Sequence, residues 1–361
     1  MQTIVSGISC LPKILNDTGK RKLFVVSDSS YPFLNIRDII DNLKCDKTFF
    51  SDFTPNPLFE QVCNGLDKFI SSGCDSILAI GGGSSIDVAK CIKLSLLSTE
   101  GRMALIPPSV TGTATLKDNI SIPLIAIPTT AGTGSESTHN AVIYYQGTKQ
   151  TVADDHILPD YAILEPSVLT TLPSYQKKST MMDALCQCIE SWWSINATTE
   201  SIQYSKRGIE LIMANWKSYI FSNTYESAAQ VMLGANYSGR AINIAQTTAA
   251  HAMSYKITSI FKLPHGHAVA VCLPEIWEYM LSYDIPVFTD IANALGQPSV
   301  PDAISAFREM KKDLKLDNPV SKNRKLDIEI MSESVNPIRL KNNPVPLSKD
   351  VLLKLYDIIV E

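Results

Sequence analysis

The sequence predicts a two-domain chain in which an α/β domain is followed by an all-α domain. Up to about residue 172, short apolar runs alternate with helical patterns, which is typical of βα units on a mostly parallel sheet. From Pro173 onward the helical pattern continues without a strand break. A chain of 361 residues also exceeds what one hydrophobic core usually organises. We therefore expect an α/β domain over residues 1–172 and a helical domain over residues 173–361.

The individual elements follow from the apolar runs and the residues that interrupt them. Residues 23–26 (Leu-Phe-Val-Val) and 76–80 (Ser-Ile-Leu-Ala-Ile) predict buried strands, and a further strand should end at Ile127. Helical spacing over residues 58–70, after a loop with two prolines, predicts a helix. Residues 174–193 predict a long helix that opens the second domain.

The composition and net charge of the chain indicate which kinds of molecule it is expected to bind. The formal net charge is −4, which leaves no basic field for phosphates, so we expect neither nucleic acid nor a membrane as a partner. No run approaches about 18 apolar residues and no signal-peptide pattern opens the chain, which favours the cytosol. Eight cysteines without a CxxC pair predict reduced core thiols, and the polar residues 314–346 predict surface helix and loop. The expected partner is a small molecule.

Two glycine-bearing segments follow predicted strands. Residues 80–87 (Ile-Gly-Gly-Gly-Ser-Ser-Ile-Asp) pass through a turn into a helix, where backbone N–H groups can approach an anion. This segment matches neither GxGxxG nor a P-loop, and an ordinary turn would explain it equally well. Residues 128–136 (Pro-Thr-Thr-Ala-Gly-Thr-Gly-Ser-Glu) add hydroxyls and amides suited to a pyrophosphate or ribose. Together the two segments favour a dinucleotide site.

Two charged residues bear on that cofactor. Asp28 closely follows the first predicted strand, where a carboxylate accepts hydrogen bonds from ribose hydroxyls and repels a 2′-phosphate. We therefore expect NAD(H) to be preferred over NADP(H). Lys149 lies further along and either neutralises cofactor charge or is solvated; its charge alone favours the solvated alternative.

Candidate metal ligands occur in the helical half. Asp183 and Gln187 are spaced i,i+4 and project from one helical face, and Glu190 lies one further turn along. His251 and His265 come from a separate region, in a chain with five histidines. A carboxylate, an amide oxygen and two imidazoles from separate helices would suit a divalent metal. Taken alone, each histidine is more readily explained as an ordinary core or surface residue than as a metal ligand.

These motifs, in this order, resemble the iron-containing (type III) alcohol dehydrogenases. The resemblance runs from about residue 20 to about residue 350 and rests on residues 81–90, 128–136, 182–190 and 251–274. It implies the fold that this family shares with dehydroquinate synthase: a Rossmann-like N-terminal domain, a helical C-terminal domain and a dinucleotide in the cleft between them. It also implies a metal-dependent, NAD(P)-linked alcohol dehydrogenase or aldehyde reductase.

The resemblance assigns the cofactor and metal residues one by one. The cofactor residues it implies are Asn56, Gly82, Gly83, Ser84, Asp87, Thr129, Thr130, Thr133 and Lys149. Asp183, His251 and His265 coincide with three of the four family ligands for one divalent metal, Fe²⁺ or Zn²⁺. The fourth ligand is normally a histidine, and here it is Gln187, whose amide oxygen is a weaker donor. We therefore expect weaker metal binding.

The resemblance also implies catalytic and substrate residues. Tyr255 stands where many members carry a histidine near the nicotinamide, and we expect the proton to come from Tyr255, His267 or water. In the family, three positions line the substrate pocket, and in this chain each of them carries a hydrogen-bond donor. Two more polar residues lie on the helical stretch just before the third position. These substrate residues are His139, Thr151 and Thr247, with Arg240 and Asn243. Such a pocket suits a small aldehyde with a polar or anionic tail.

The amino-acid sequences of several segments are similar to those of one branch of the family, the phosphonoacetaldehyde reductases. These segments are residues 190–194, 239–244, 251–255 and 264–267. The resemblance implies reduction of phosphonoacetaldehyde to 2-hydroxyethylphosphonate, and we expect a homodimer. Arg240 has a simpler alternative as a solvated helix residue.

Two other classes of protein stay open from the sequence. A sugar-phosphate cyclase related to dehydroquinate synthase would use NAD transiently, but it would need several basic residues around the metal, and residues 243–267 offer only Lys256 and Lys262. A metal-free dinucleotide-binding protein is the second alternative, because Gln187 replaces a ligand. Oxidation of NADH with a panel of aldehydes, with and without added metal, distinguishes these classes.

Overall fold

The chain divides into two compact units. The computed structural model describes residues 2–20, 22–106, 115–118 and 120–361. Unit 1 comprises Met1–Thr130 and Gly134–Leu172, and unit 2 comprises Ala131–Thr133 and Pro173–Glu361. None of the helices in the described ranges combines the length and the apolar composition that crossing a bilayer requires.

Unit 1 is built on a parallel sheet. Its strands are β1 (Thr3–Ser6), β2 (Lys22–Ser27), β3 (Asp46–Phe50), β4 (Ser76–Gly81), β5 (Leu124–Pro128), β6 (Asn140–Tyr145), β7 (Thr148–Ala153) and β8 (Tyr161–Leu164). Six strands form one sheet in the order β1-β8-β5-β4-β2-β3, and all of its pairs are parallel. Strands β6 and β7 form a separate antiparallel hairpin. The predicted α/β domain with a mostly parallel sheet is confirmed.

The strands and helices of unit 1 have local causes in the sequence. Strand β4 lies between β5 and β2, and all its residues are buried, which explains its continuous apolar run. The helices are α1 (Leu11–Thr18), α2 (Arg37–Asp41), α3 (Phe59–Ser72) and α4 (Gly83–Leu97). Helix α3 begins where Gln61 Oε1 accepts a 3.0 Å hydrogen bond from the Leu58 N–H, and it ends at Gly73 in the left-handed conformation.

The described residues of unit 2 form helices joined by loops, with no strand among them, as predicted for an all-α domain. Its helices are α5 (Ser174–Trp193), α6 (Thr199–Lys217), α7 (Tyr225–Ala245), α8 (Ala249–Phe261), α9 (His265–Met280), α10 (Val287–Ala294), α11 (Val300–Asp313), α12 (Arg324–Ser334), α13 (Pro337–Leu340) and α14 (Lys349–Ile359). Helix α5 spans the predicted residues 174–193 and packs against α6, α7 and α9. From Met181 to Trp193 every residue of α5 is buried, so its polar residues face protein rather than water.

A buried lysine ties α4 to the segment before the hairpin. Lys90 is fully buried, and its ammonium donates to Ser135 Oγ at 3.1 Å, Thr138 Oγ1 at 2.9 Å and the Asn140 carbonyl at 2.7 Å. Burial lowers the pKa of Lys90 to about 8, although the carboxylate of Asp87 acts in the opposite direction. The folded protein therefore gives up this proton at a lower pH than the unfolded chain does.

The first prediction concerns this lysine. Because its pKa falls from 10.5 to about 8 on folding, the cost of burying the charged form is present below pH 8 and disappears as the pH rises to 10.5. Relative to Lys90→Met, the wild-type free energy of unfolding should therefore rise by up to roughly 3 kcal/mol over this range. Urea denaturation at pH 7 and pH 10 measures it, with the exposed Lys68→Met as control. Identical pH dependence of wild type and Lys90→Met would contradict the assignment.

Candidate active site

The turn between β4 and α4 is shaped by glycine. Gly81 has a φ of 154°, and a β-carbon there would lie 2.2 Å from Ser85 Oγ and 2.8 Å from Asp28 Oδ2. No other residue type fits this space. Gly82 is extended and Gly83 begins the helix, so the first N–H groups of α4 are presented at the carboxyl end of the sheet.

Within unit 1, Thr129 and Thr130 of the second glycine-bearing segment lie beside this turn. The Thr129 N–H donates to the Gly81 carbonyl at 3.0 Å, because β4 and β5 are adjacent parallel strands. A β-carbon at Gly82 would lie 3.6 Å from Thr130 Oγ1, so that hydroxyl borders the turn. Two predicted cofactor segments thus meet where parallel strands end, which is the usual ligand position in open α/β sheets.

Two further predicted cofactor residues join the same edge. The Asn56 N–H donates to Ser84 Oγ at 3.3 Å, with Asn56 in the left-handed conformation. Asp28 follows β2, and its carboxylate accepts from Ser85 Oγ at 3.0 Å and from the Ser30 N–H at 2.8 Å. The Asp28 side chain is therefore held in place beside the glycine turn.

Asp87 on α4 is hydrogen-bonded to the segment that leads into the hairpin of β6 and β7, and Lys149 lies in that hairpin. The Asp87 carboxylate accepts from Ser135 Oγ at 2.7 Å and from the Val142 N–H at 3.0 Å. Burial raises the pKa of Asp87, and this rise is partly offset by the charge of Lys90, by the hydrogen bonds from Ser135 and Val142, and least by the charge of Lys149 on β7. The hydrogen bonds of Asp87 thus fix the segment that leads into the hairpin.

The substrate residues predicted in unit 1 lie on and before the hairpin. His139 Nδ1 is 2.8 Å from Asp155 Oδ1, and Thr151 lies on β7 opposite Val142. The side chain of His139 is 29% exposed, and Thr151 is exposed. Both residues therefore remain accessible within unit 1.

Three predicted ligands come together in unit 2. Asp183 and His251 are buried, His265 is partly exposed, and one ligand atom from each lies within 4.8 Å of the other two. His251 Nε2 is 3.3 Å and His265 Nε2 is 3.9 Å from Asp183 Oδ1. One carboxylate and two imidazoles of this kind are a donor set for Fe²⁺ or Zn²⁺.

Glu190 holds His251 in this position. It is fully buried, and its Oε2 contacts His251 Nδ1. Its Oε1 accepts hydrogen bonds from the Thr248 N–H at 3.1 Å, the Thr248 hydroxyl at 2.9 Å and the Ala250 N–H at 2.9 Å. Burial alone would lower the pKa of His251, but the carboxylates of Glu190 and Asp183 outweigh it and raise the pKa to about 9. Glu190 therefore caps α8 and orients its imidazole at once.

Gln187 faces Asp183 with its nitrogen. The amide Nε2 donates to Asp183 Oδ2 at 3.3 Å and to the Thr133 carbonyl at 3.4 Å, and Ser238 Oγ donates to the amide Oε1 at 2.8 Å. Both Asp183 Oδ2 and the Thr133 carbonyl are acceptors, so this amide orientation is the one that hydrogen bonding favours. This arrangement joins Gln187 to the candidate ligand Asp183 by a hydrogen bond, and a role for Gln187 as a fourth metal ligand stays a prediction.

A close helix contact positions His265. A β-carbon at Gly266 would lie 2.0 Å from the Ser179 carbonyl and 2.8 Å from Asp183 Cβ. The His267 N–H also donates to Ser179 Oγ at 3.1 Å. The start of α9 therefore lies directly against α5, which brings His265 to Asp183.

The two candidate proton donors differ in their surroundings. The Tyr255 ring stacks on His265 with a centroid distance of 5.7 Å and an interplanar angle of 3°. His267 Nδ1 is 2.7 Å from the Tyr175 hydroxyl and its Nε2 is 2.8 Å from the Asp317 carbonyl. Burial lowers the pKa of His267. The contacts of Tyr255 thus join it to a candidate ligand, whereas both nitrogens of His267 are engaged elsewhere.

The remaining substrate candidates lie along α7 and its exit. The Arg240 guanidinium donates to the Tyr204 hydroxyl at 2.6 Å, and its Cζ is 4.0 Å from the Tyr204 ring centroid and 5.3 Å from that of Tyr237. Arg240 is thus directed towards α6. Asn243 is partly buried, and Thr247 is buried with its carbonyl accepting from Asn342 Nδ2 at 3.2 Å.

Several residues of the site had no assigned role from the sequence. Glu190 was noted on the helical face of Asp183 and Gln187, and its i,i+7 spacing from Asp183 was the available signal. Ser238 and Gly266 carry no such signal, because their roles depend on contacts between α5 and other helices.

Family comparisons agree with this architecture. Residues 3–166 match the family model described as "Iron-containing alcohol dehydrogenase", and residues 177–360 match "Fe-containing alcohol dehydrogenase family, C-terminal". The fold and site define an oxidoreductase of the alcohol dehydrogenase class. The chain belongs to the iron-containing alcohol dehydrogenase family.

Relatives and solved structures give the same family. The chain is 31% identical over 301 residues to the probable alcohol dehydrogenase EutG of Escherichia coli (strain K12), covering 81% of this chain and 75% of the relative. It is 30% identical over 290 residues to the NAD-dependent methanol dehydrogenase of Bacillus methanolicus, covering 78% and 74%. The iron-containing alcohol dehydrogenase of Thermococcus thioreducens superposes with a TM-score of 0.89 at 25% identity, covering 99% and 98%. The predicted fold is confirmed.

The second prediction concerns Glu190. Glu190→Gln removes the negative charge beside His251 Nδ1. It also replaces one acceptor oxygen by an amide N–H that would face groups which are themselves donors, so the imidazole loses its fixed orientation. Zn²⁺ affinity should fall about 10- to 100-fold. Competition with a chelator of known affinity measures the Zn²⁺ affinity. The control is Glu200→Gln, which changes a carboxylate on α6 that is hydrogen-bonded to Tyr204. Unchanged affinity in a folded Glu190→Gln protein would refute the orienting role.

Proposed function

We propose that this chain is a metal-dependent aldehyde reductase that uses NAD(H) and acts on a small aldehyde with an anionic tail. The observation that carries the proposal is the buried cluster of Asp183, His251 and His265, backed by Glu190. Family membership supports the redox chemistry. A homodimer and a cytosolic location remain predictions.

The residues present fit a divalent metal. His251 Nε2 is buried and makes no hydrogen bond within the described part of the chain, although it lies 3.3 Å from Asp183 Oδ1. A buried polar atom of this kind is costly unless a partner satisfies it. We propose Asp183, His251 and His265 as the ligands of Fe²⁺ or Zn²⁺. Gln187 then acts through Asp183, which it holds by a hydrogen bond.

Unit 1 supplies all of the proposed cofactor residues except Thr133, which belongs to unit 2. The first N–H groups of α4, after Gly82 and at Gly83 and Ser84, suit the pyrophosphate, and Asn56 and the hydroxyls of residues 129–133 suit the rest of the dinucleotide. Asp28 is proposed to accept from a ribose hydroxyl, which favours NAD(H). Asp87 and Lys149 are proposed to support this loop. The dependence on NAD named for the Bacillus methanolicus relative supports the choice of cofactor.

The proposed reaction is the reduction of a carbonyl to an alcohol. A divalent metal held by Asp183, His251 and His265 would polarise the carbonyl oxygen, and a reduced nicotinamide would supply hydride to the carbonyl carbon. Glu190 keeps the Nδ1 face of His251 occupied, so that Nε2 faces Asp183. Tyr255, stacked on His265, is proposed to deliver the proton from its hydroxyl to the product oxygen. The engaged nitrogens of His267 favour Tyr255 for this role.

We further propose phosphonoacetaldehyde as the substrate and 2-hydroxyethylphosphonate as the product. Support comes from the polar side chains at the family's pocket positions, His139 and Thr151 in unit 1 and Thr247 in unit 2, and from Asn243 on the helix before Thr247. A small substrate with several oxygen acceptors uses such donors, whereas a simple aliphatic aldehyde leaves them unpaired at a cost.

The third prediction tests this function. Protein loaded with Fe²⁺ or Zn²⁺ should oxidise NADH with phosphonoacetaldehyde more efficiently than with acetaldehyde or propionaldehyde. His265→Ala removes a proposed ligand and should lower kcat/KM at least about 100-fold, as expected for loss of a metal-held transition state. His156→Ala, at an exposed histidine paired with Asp154, is the control. Full activity in chelator, with no metal by elemental analysis, would refute the metal-dependent mechanism.

The fourth prediction concerns the choice of cofactor. Asp28→Asn keeps the size of the side chain and its ability to accept from Ser85 and Ser30 but removes the charge. The ratio of kcat/KM for NADH over NADPH should fall about tenfold, since a like-charge contact costs about 1 kcal/mol or more near a protein surface. Asp75→Asn, at the other end of the sheet, is the control. A wild-type preference for NADPH would disprove the assignment.

A further inference from the structure

Arg339 places a permanent positive charge next to Tyr255, whose ring stacks on the proposed ligand His265. It lies on α13, and its Cζ is 5.5 Å from the ring centroid of Tyr255. Arg339 is partly buried, which leaves part of its surface accessible. The sequence predicted surface helix and loop for this region, and no role was assigned to its charge.

The Tyr255 ring connects this charge to a proposed ligand. The ring stacks on His265 with a centroid distance of 5.7 Å, and His265 Nε2 lies 3.9 Å from Asp183 Oδ1. The guanidinium carbon of Arg339 is therefore no more than roughly 11 Å from the His265 ring. Arg339, Tyr255 and His265 form a series of adjacent groups that ends at the cluster.

The segment that carries Arg339 is fixed to the rest of unit 2. Asn342 Nδ2 donates to the Gln246 side-chain oxygen at 3.1 Å and to the Thr247 carbonyl at 3.2 Å. The Ile195 N–H donates to the Asn342 carbonyl at 3.0 Å. These bonds attach the end of α13 to the connection between α7 and α8, next to the proposed substrate residue Thr247. The position of the Arg339 backbone is thereby defined.

We propose that Arg339 is the specificity-determining residue that binds the anionic tail of the substrate. The inference rests on the proposed function and adds the group that selects the substrate class. The ligand is a short aldehyde that ends in a phosphonate or sulfonate. A guanidinium suits either tail, because its planar donors form paired hydrogen bonds with two oxygens of the anion.

The distances agree with a two-carbon substrate. From its carbonyl oxygen to an outer oxygen of its tail, such an aldehyde spans about 5 Å, as bond lengths near 1.5 Å require. A hydrogen bond to the guanidinium adds about 3 Å. A substrate whose carbonyl lies beside His265 can therefore reach a cation within roughly 11 Å of that ring.

Arg240, the arginine predicted from the sequence, has a different environment. Its guanidinium donates to the Tyr204 hydroxyl, stacks on the Tyr204 ring and lies near the Tyr237 ring, which directs it towards α6. Ser238, two residues earlier on α7, faces Gln187 on α5. Because residues two apart point to different sides of a helix, Arg240 faces away from the Gln187 side of α7.

The fifth prediction separates charge recognition from general activity. Arg339→Met keeps most of the apolar stem and removes the charge, so kcat/KM for phosphonoacetaldehyde and sulfoacetaldehyde should fall at least about tenfold, mainly through KM. Acetaldehyde and propionaldehyde should change less than about threefold. Arg339→Lys should recover part of the loss. Arg207→Met, at an exposed arginine paired with Glu210, is the control of equal charge.

A binding measurement gives a readout independent of turnover. Calorimetric titration of the metal-loaded protein with 2-hydroxyethylphosphonate should show at least about tenfold weaker binding for Arg339→Met than for Arg207→Met. The inference would be overturned if Arg339→Met lowered kcat/KM equally for anionic and neutral aldehydes. It would also be overturned if substitution of Arg240, and not of Arg339, removed the selectivity for anionic aldehydes. Wild-type protein that reduces neutral aldehydes equally well overturns this inference and the proposed anionic substrate, and leaves the proposed metal-dependent aldehyde reductase standing. Absence of NADH oxidation with every aldehyde overturns the proposed function.

Discussion

The hydrogen bonds of one buried carboxylate determine much of the geometry of unit 2. Glu190 lies on α5, and its two oxygens serve different purposes: one receives the first N–H groups of α8 and the other contacts His251. A charge in a protein interior costs several kcal/mol unless hydrogen bonds or opposite charges compensate it. The start of α8 and the imidazole supply that compensation. The direction of α8 and the orientation of His251 are therefore set together.

Helix α5 provides a rigid base for this arrangement. Asp183, Gln187 and Glu190 lie on one face of a helix that is buried from Met181 onward. Gly266 lets α9 begin against the same helix, so His265 reaches Asp183 without a long flexible segment. Side chains held on packed helices keep their relative positions better than side chains on loops. The site thus combines a fixed carboxylate with two fixed imidazoles.

Much of the fold could be predicted because it depends on local patterns. The buried runs at residues 23–26 and 76–80 became β2 and β4, and the long helical pattern became α5 with the expected bounds. The antiparallel hairpin of β6 and β7 was not predicted, because its pairing joins partly exposed strands whose register depends on a short turn.

The sequence predicted which residues form the candidate site better than it predicted the contacts between them. The motifs picked out Asp183, His251 and His265, which the structure brings together. The direction of the Gln187 amide depends on Ser238 and Thr133, which are far apart in sequence, and no spacing rule reveals it. The surroundings of Arg240 and Arg339 likewise depend on which helix faces each guanidinium. Sequence patterns specify periodicity, whereas these contacts are tertiary.

The assignment of residues 131–133 to the helical unit has a consequence for chimaeras of the chain. Gly132 lies against α5, where a β-carbon would be 2.7 Å from Thr180 Cβ, and the Thr133 carbonyl accepts from Gln187. Recombination between two family members at residue 172 would pair one parent's tripeptide with the other parent's α5. A chimaera joined at residue 172 is therefore expected to be less stable than either parent when the two parents differ at the tripeptide or at the residues of α5 that it contacts.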